Sequence, residues 1–214
     1  MRVTAIYLAA GMSSRMGRPK LSLELAPGKR LGAAALTEVL ACEEIERVIA
    51  VVRENDGMEW WREAKAGDSL GRLEAVACPD SRLGMSFSIR CGLDRALAED
   101  PDAVLIVLAD QPFLASSELT SLVRSAQKEE ALDYAAFGRR GKAHPPVLFK
   151  RAMFAALAGL RGDEGARRLL ADGTWRGKLL EIDAEQFFAD VDTLDDWRRA
   201  SSRSAGESRD SAPE

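Results

Sequence analysis

The chain has 214 residues, 46% of them hydrophobic and 30% charged, with a net charge of −4; these values fit one globular domain with a sizeable buried core. The acidic balance excludes a general attraction to nucleic acid or to an anionic membrane, so a pocket for anions would need its own local cations. No apolar run approaches the roughly 20 residues of a membrane span, and the first residues lack the apolar core and cleavage site of a signal peptide, so the expected compartment is the cytoplasm.

Strand-like and helix-like segments alternate, the pattern of an α/β fold with a mainly parallel sheet. Val3–Leu8 (VTAIYL) reads as the first strand. It runs into Ala9-Ala10-Gly11 and a polar loop holding Ser13, Ser14, Arg15 and Gly17, which ends at Lys20. Small residues directly after a strand let backbone N–H groups approach a ligand closely, and amides with Arg and Lys in reach suit a polyphosphate. An ordinary strand-to-loop transition with solvated cations has the same composition. The spacing is not that of the Walker loop: five residues separate Gly11 from Gly17, and Leu21 rather than a hydroxyl follows Lys20. The Rossmann G-x-G-x-x-G is absent as well.

Leu31–Ala41 reads as a helix with Leu36, Val39 and Leu40 on one face, and Arg47–Val52 as a second strand. A helix over 57–66 brings Trp60 and Trp61 to pack, and a short strand covers 72–77. Met85, Ile89, Leu93, Ala96 and Leu97 recur at helical spacing over 85–98. Ala103–Leu108 (AVLIVL) is the most strongly apolar segment and predicts a central strand covered on both faces. A helix carrying Leu119, Leu122, Val123 and Ala126 follows, then strands over 133–137 and 146–149 and a helix over 151–160. Asp163 is expected to cap a short helix through Ala171, with Leu169 and Leu170 inward. Brief extended pieces over 179–182 and 190–192 lead to a closing helix over 193–199. From Ala200 the chain is Ser-rich without large apolar residues, so 1–199 is the expected domain and 200–214 a disordered tail. Cys42, Cys78 and Cys91 lack metal-ligand spacing and read as reduced thiols. The single histidine, His144, argues against zinc chemistry and against a Ser-His-Asp triad.

Asp110 directly follows the apolar strand, in Leu108-Ala109-Asp110-Gln111-Pro112. Ligands of parallel α/β sheets bind beyond the carboxyl ends of strands, and the loop from Leu8 to Lys20 leaves at the same edge. Asp110 is therefore placed to hold magnesium, which takes a few carboxylate oxygens and completes its shell with water and phosphates; a turn or N-cap aspartate is the bland alternative. In the second acidic cluster, Asp190-Val191-Asp192-Thr193-Leu194-Asp195-Asp196, alternation puts Asp190 and Asp192 on one face, although Asp192 or Thr193 could simply cap the last helix. Gly84-Met85-Ser86-Phe87-Ser88 opens a helix that Ser86 could cap.

Leu8, Ala9, Ala10, Gly11, Ser13, Arg15, Met16, Gly17 and Lys20 form L-A-A-G-x-S-x-R-M-G-x-x-K, which resembles the signature loop of the nucleotidyltransferases that act on molybdenum cofactor. The likeness continues in chain order through G-M-S-F-S, L-A-D-Q-P, the A-H-P-P-V-L-F run, G-D-E-G-A-R and D-V-D-T-L-D-D. It implies a single Rossmann-like, three-layer α/β domain with a mostly parallel sheet, of the nucleotidyltransferase (glycosyltransferase-A-like) type. It implies nucleotide contacts from Leu8, Ala9, Ala10, Gly11, Ser13, Arg15, Lys20, Gly84 and Ser88, with Arg15, Lys20 and Asp110 catalytic. Mg2+ would sit on Asp110 and Asp192, with Asp190 as the fallback, and His144, Asp163 and Arg167 would face the acceptor.

The doublet Ala9-Ala10 looks like the cytidylyltransferase branch, since the guanylyltransferase branch usually carries Ala-Gly-Gly and a second Gly where Arg18 stands. Three positions depart from the pattern: Cys78 where relatives often carry Asn, Ala143 for the usual Gly, and an extra proline at Pro145-Pro146. The reaction implied is transfer of CMP from CTP to the terminal phosphate of molybdopterin, with release of pyrophosphate. It would serve xanthine-dehydrogenase-type molybdoenzymes through a transient complex with such an enzyme. Transfer from GTP, transfer to a sugar phosphate, and a cofactor carrier without turnover are the alternatives.

Overall fold

The computed structural model describes every residue except 55–57, 172 and 211–214, and of 205–210 the backbone alone. Strand β1 (Val3–Leu8) opens the chain, followed by a small hairpin of β2 (Glu24–Ala26) and β3 (Lys29–Arg30). Then come α1 (Leu31–Ala41), β4 (Arg47–Val52), α2 (Glu59–Ala66), β5 (Leu73–Ala77) and α3 (Met85–Leu97). The chain continues through β6 (Ala103–Leu108), α4 (Ser116–Lys128), β7 (Tyr134–Arg139) and β8 (Lys142–Lys150). It closes with α5 (Phe154–Ala158), β9 (Gly177–Glu181) and α6 (Leu194–Asp210).

The main sheet has the order β5-β4-β1-β6-β8-β7-β9. Neighbours pair in parallel except β8, which runs antiparallel to both β6 and β7. Alternation along the strands divides the core between two faces. Val3, Ala5 and Tyr7 of β1 and Ala103, Leu105 and Val107 of β6 belong to the layer that includes α1 and α4. Ile6, Val104 and Ile106 point the other way, into the layer of α3 and α5. Helices on both faces of a mostly parallel sheet make the three-layer α/β arrangement that the sequence implies. Close packing at Gly92 sets α3 on the strands: a Cβ there would stand 2.4 Å from Ile6 Cγ2 and 2.9 Å from Val51 Cγ2. The pairing of β1 with β6 runs through Leu8↔Leu108, so both strands end at one level and release Ala9 and Ala109 side by side. That register positions everything described below.

Several expectations need correction. The β2–β3 hairpin carries no alternation long enough to announce it. Strand β8 reaches back to Lys142 rather than starting at 146, because a bulge in the pairing with β7 takes up Pro145 and Pro146, whose peptide bond is cis. Asp163 caps nothing: a 3-10 turn over Ala166–Leu170 begins at Gly165, and Gly162, in the left-handed region, holds the preceding chain against the start of α3. In α3 the inward stripe reaches the core through Ile89, Leu93 and Ala96, while Met85 and Leu97 at its ends are 42% and 44% exposed. Residues 190–192 form no strand. The closing helix continues past 199 to Asp210, through part of the segment expected as a tail, with Ala200 buried; residues 211–214 of that segment, and Gly57 of the helix expected over 57–66, lie outside the described residues. Among the described residues no helix is long and apolar enough to cross a membrane.

Between α2 and β5, Asp68 accepts from Lys65 Nζ at 2.8 Å, Arg72 N–H at 3.0 Å and Leu73 N–H at 2.9 Å, with its side chain 1% exposed. Burial alone would raise its pKa, but the Lys65 ammonium and the two amides outweigh it and hold the carboxyl below its ordinary value. A depressed folded-state pKa contributes stability above the ordinary carboxylate range and loses it as pH falls through the folded value. Asp68→Ala is expected to cost about 2–3 kcal/mol in urea unfolding at neutral pH, with the gap from wild type narrowing at acid pH.

Candidate nucleotide-binding site

At the carboxyl edge of the sheet, Ala9 N–H donates to Val51 C=O at 2.9 Å and Ala109 N–H to Leu8 C=O at 3.2 Å. These bonds extend the sheet by one residue and use the Ala9 amide, so it is not among the donors open to a phosphate. Ala9 and Ala10 are both buried, and Ala10 packs into the α3-side core instead of lining the pocket. The chain emerges at Gly11, where an added Cβ would meet nothing within 4 Å. Ser13 at φ 50° and Gly17 at φ 64° turn the loop back, with Met16 N–H on Ser13 C=O at 3.0 Å. Lys20 N–H donates to Ser13 Oγ at 3.2 Å and ties the two ends of the loop together.

The third segment reaches this edge through one backbone bond, Val191 N–H to Asp110 C=O at 3.0 Å. Thr193 and Asp196 then form a reciprocal cap on α6: Asp196 N–H on Thr193 Oγ1 at 3.2 Å, and Thr193 N–H on Asp196 Oδ2 at 2.8 Å. Because Thr193 does the capping, the Asp192 side chain is left for the pocket.

Lys20 Nζ lies 2.7 Å from Asp110 Oδ2 and 3.0 Å from Asp192 Oδ1, and Arg15 donates to Asp192 Oδ2 at 2.6 Å. The Lys20 side chain is 11% exposed. Burial would lower its pKa, but the charges of Asp110 and Asp192 outweigh it and hold the ammonium above its ordinary value. Burial likewise pushes Asp192 up, and Lys20 and Arg15 together bring it below the ordinary value. Burial and then the Asp110 charge push Asp190 up to about 6, against the opposing pull of the Gln111 Nε2 bond at 2.9 Å and the charge of Lys20.

These groups surround a pocket of about 220 Å3, lined by Leu8, Ala9, Gly11, Ser13, Arg15, Lys20, Asp110 and Asp192, with Met12, Ser14, Leu21 and Ala109 as further walls. Among the described residues no set of three or more His, Cys, Asp or Glu could hold a metal. The donor chemistry still fits magnesium, because two hard carboxylates converge on one ammonium and this ion draws the rest of its shell from water and phosphates.

A second cavity, about 510 Å3, is lined by His144, Arg167, Arg168, Gln111, Phe188 and Asp190 over an apolar floor. The His144 and Phe188 rings are 4.9 Å apart. Burial, followed by the charges of Arg167, Arg139 and Lys142, lowers the His144 pKa, so its ring is neutral near pH 7. His144 and Arg167 thus line one cavity, whereas Asp163 is outside this lining. Gly84 and Ser88 line neither cavity. Gly84, at φ 125°, lies against the Gly162 backbone, where a Cβ would come within 2.2 Å of the carbonyl oxygen, and Ser86 N–H donates to that oxygen at 3.1 Å. Gly84, not Ser86, is the N-cap of α3. Sequence reasoning passed over Arg168, Phe188 and Gln111. Arg168 and Gln111 are adjacent to residues already singled out and Phe188 lies two before Asp190, and only the fold shows which neighbour turns inward.

Residues 5–179 match the family described as the MobA-like NTP transferase domain. The chain is 34% identical over 203 residues to the purine catabolism protein PucB of Bacillus subtilis (strain 168), across 92% of this chain and 96% of that protein. It is 29% identical over 209 residues to a nicotine blue oxidoreductase of Paenarthrobacter nicotinovorans, across 92% and 95%. Rv0371C of Mycobacterium tuberculosis H37Rv, solved as a complex with manganese, shares the fold with a TM-score of 0.69 at 24% identity, across 94% of this chain and 99% of that one.

The Gly84–Gly162 contact yields a direct test. Gly84→Ala combines an unfavourable positive φ with a backbone clash and should lower stability by about 2–4 kcal/mol, read as a drop in Tm. Ser88→Ala, which strains nothing, should unfold within a few degrees of wild type.

Proposed function

This chain belongs to the MobA-like NTP transferase family and is a nucleotidyltransferase, and from that premise we propose that it transfers CMP from CTP to the terminal phosphate of molybdopterin. Pyrophosphate is the second product, and the cytosine dinucleotide form of the cofactor would serve xanthine-dehydrogenase-type molybdoenzymes. The observation that carries the reading is the buried Lys20 ammonium held between Asp110 and Asp192 beneath a cationic loop. The Ala9-Ala10 doublet supports cytidine over guanosine, and likeness to a purine catabolism protein fits a role beside purine-oxidising molybdoenzymes.

In the proposed reaction an acceptor phosphate oxygen bonds to the α-phosphorus of CTP while the bond from that phosphorus to the β-bridging oxygen breaks. The attacking oxygen is already ionised near neutral pH, so the protein supplies alignment and charge stabilisation, not a base. Lys20 has three N–H donors; two are directed at carboxylates, and the third would serve an oxygen of the α-phosphate. Arg15, with its side chain 70% exposed, can leave Asp192 and grip the β- and γ-phosphates in a forked contact that Lys would not reproduce. Gly11, Met12, Ser13 and Ser14 line the same pocket, and Ser13 braces the loop. Asp110 and Asp192 would hold magnesium, which would supply neutralising charge to the phosphates. His144 and Arg167, in the second cavity, would receive the acceptor, with Arg167 on its anionic part.

Lys20→Ala is expected to lower turnover by roughly 10²–10³ in a pyrophosphate-release assay; near-normal turnover would remove Lys20 from the reaction. With purified protein, magnesium, molybdopterin and either CTP or GTP, the expected product is the cytosine dinucleotide. A guanine dinucleotide instead would assign the chain to guanylyl transfer.

A further inference from the structure

Gln111 follows the metal-site aspartate and is 3% exposed. Its Nε2 donates to Asp190 Oδ1 at 2.9 Å. A carboxylate oxygen accepts, so this bond fixes which end of the amide is nitrogen and directs the oxygen away from Asp190. That oxygen, Oε1, is buried and has no hydrogen-bond partner among the described residues. Buried amide oxygens are seldom left unmatched in native proteins, and Gln111 forms part of the wall of the second cavity.

The rest of that cavity defines what would satisfy it. Ile106 and Val147 provide an apolar surface, and Phe188 and neutral His144 add aromatic faces. Arg167 supplies positive charge. About 510 Å3 is within the range of pockets that enclose a small organic ligand. We propose that Gln111 Oε1 is a specificity-determining acceptor that reads an N–H donor on the edge of a flat heterocycle in the acceptor substrate. This rests on the reading of the second cavity as the acceptor side. Pterin chemistry meets the requirement, with an exocyclic amino group and a ring N–H on one edge and an anionic substituent at the far end for Arg167. A phosphate turned toward Gln111 would instead confront two oxygen acceptors, the amide and the Asp190 carboxylate. A site built around a buried acceptor rejects the analogue lacking the donor, because the protein group is then left unpaired.

The test measures direct binding of a pterin phosphomonoester and of its 2-dimethylamino-3-methyl counterpart, which lacks both donors on that edge, by pterin fluorescence in wild type and Gln111→Met. Wild type should prefer the unmethylated pterin by about 10-fold or more, Gln111→Met should reduce the preference below about 3-fold, and CTP should bind both proteins alike. Gln111→Asn, which withdraws the acceptor by one methylene, provides a second variant if Gln111→Met does not fold. Equal binding of the two pterins by wild type overturns the proposal. So does an undiminished preference in the variants, which would mean that steric bulk discriminates. If wild type binds CTP and neither pterin, the acceptor reading fails and the Gln111 assignment with it; if the pterin binds but the preference survives substitution, Gln111 alone is misassigned.

Discussion

A single buried ammonium joins three parts of the chain that are remote in sequence. Lys20 comes from the loop after β1, Asp110 from the end of β6 and Asp192 from the approach to α6, and the nitrogen of the first touches both of the others. Withdrawing this cation would leave two carboxylates facing each other, with Arg15 still paired to Asp192. The β1–β6 register and the Val191–Asp110 backbone bond are what make the meeting possible. The interaction is thus at once a fold contact and the electrostatic centre of the site.

The same arrangement explains how an acidic protein can take a highly charged anion. The net charge is −4, while the loop concentrates Arg15 and Lys20 beside small residues and open backbone. Their present partners are carboxylates, and a nucleotide with its divalent ion would exchange those partners without a large change in local charge. Binding then reorganises existing ion pairs, which limits the desolvation that an empty cationic pocket would face.

Much of this could be read in the residue order. β1, α1 and β4 fall where periodicity put them, AVLIVL is the central strand, and the loop motif and L-A-D-Q-P reach the same sheet edge because parallel strands end together. What periodicity could not supply is partnership. Asp163 looks like a cap, but the carbonyl of Gly162 is already engaged by α3, so the turn begins at Gly165. Ala9 looks like a phosphate donor, but its amide completes the sheet. The Pro145-Pro146 bulge and the two-residue β3 depend on pairing across the chain, which a linear pattern does not encode. Gln111 lay inside a recognised motif, yet its significance appears only when its two amide ends are found in different circumstances.

The contact between Gly84 and Gly162 has a mechanical meaning. One precedes Met85 at the start of α3, the other leads to Gly165, both of which border the second cavity, and the two glycines meet main chain to main chain. Side chains at such a seam could rotate and adjust its width; two glycines leave it fixed by atomic radii and one hydrogen bond. The second cavity therefore has, between Met85 and Gly165, a stretch of wall whose two halves are held together by main chain and not by adjustable side chains.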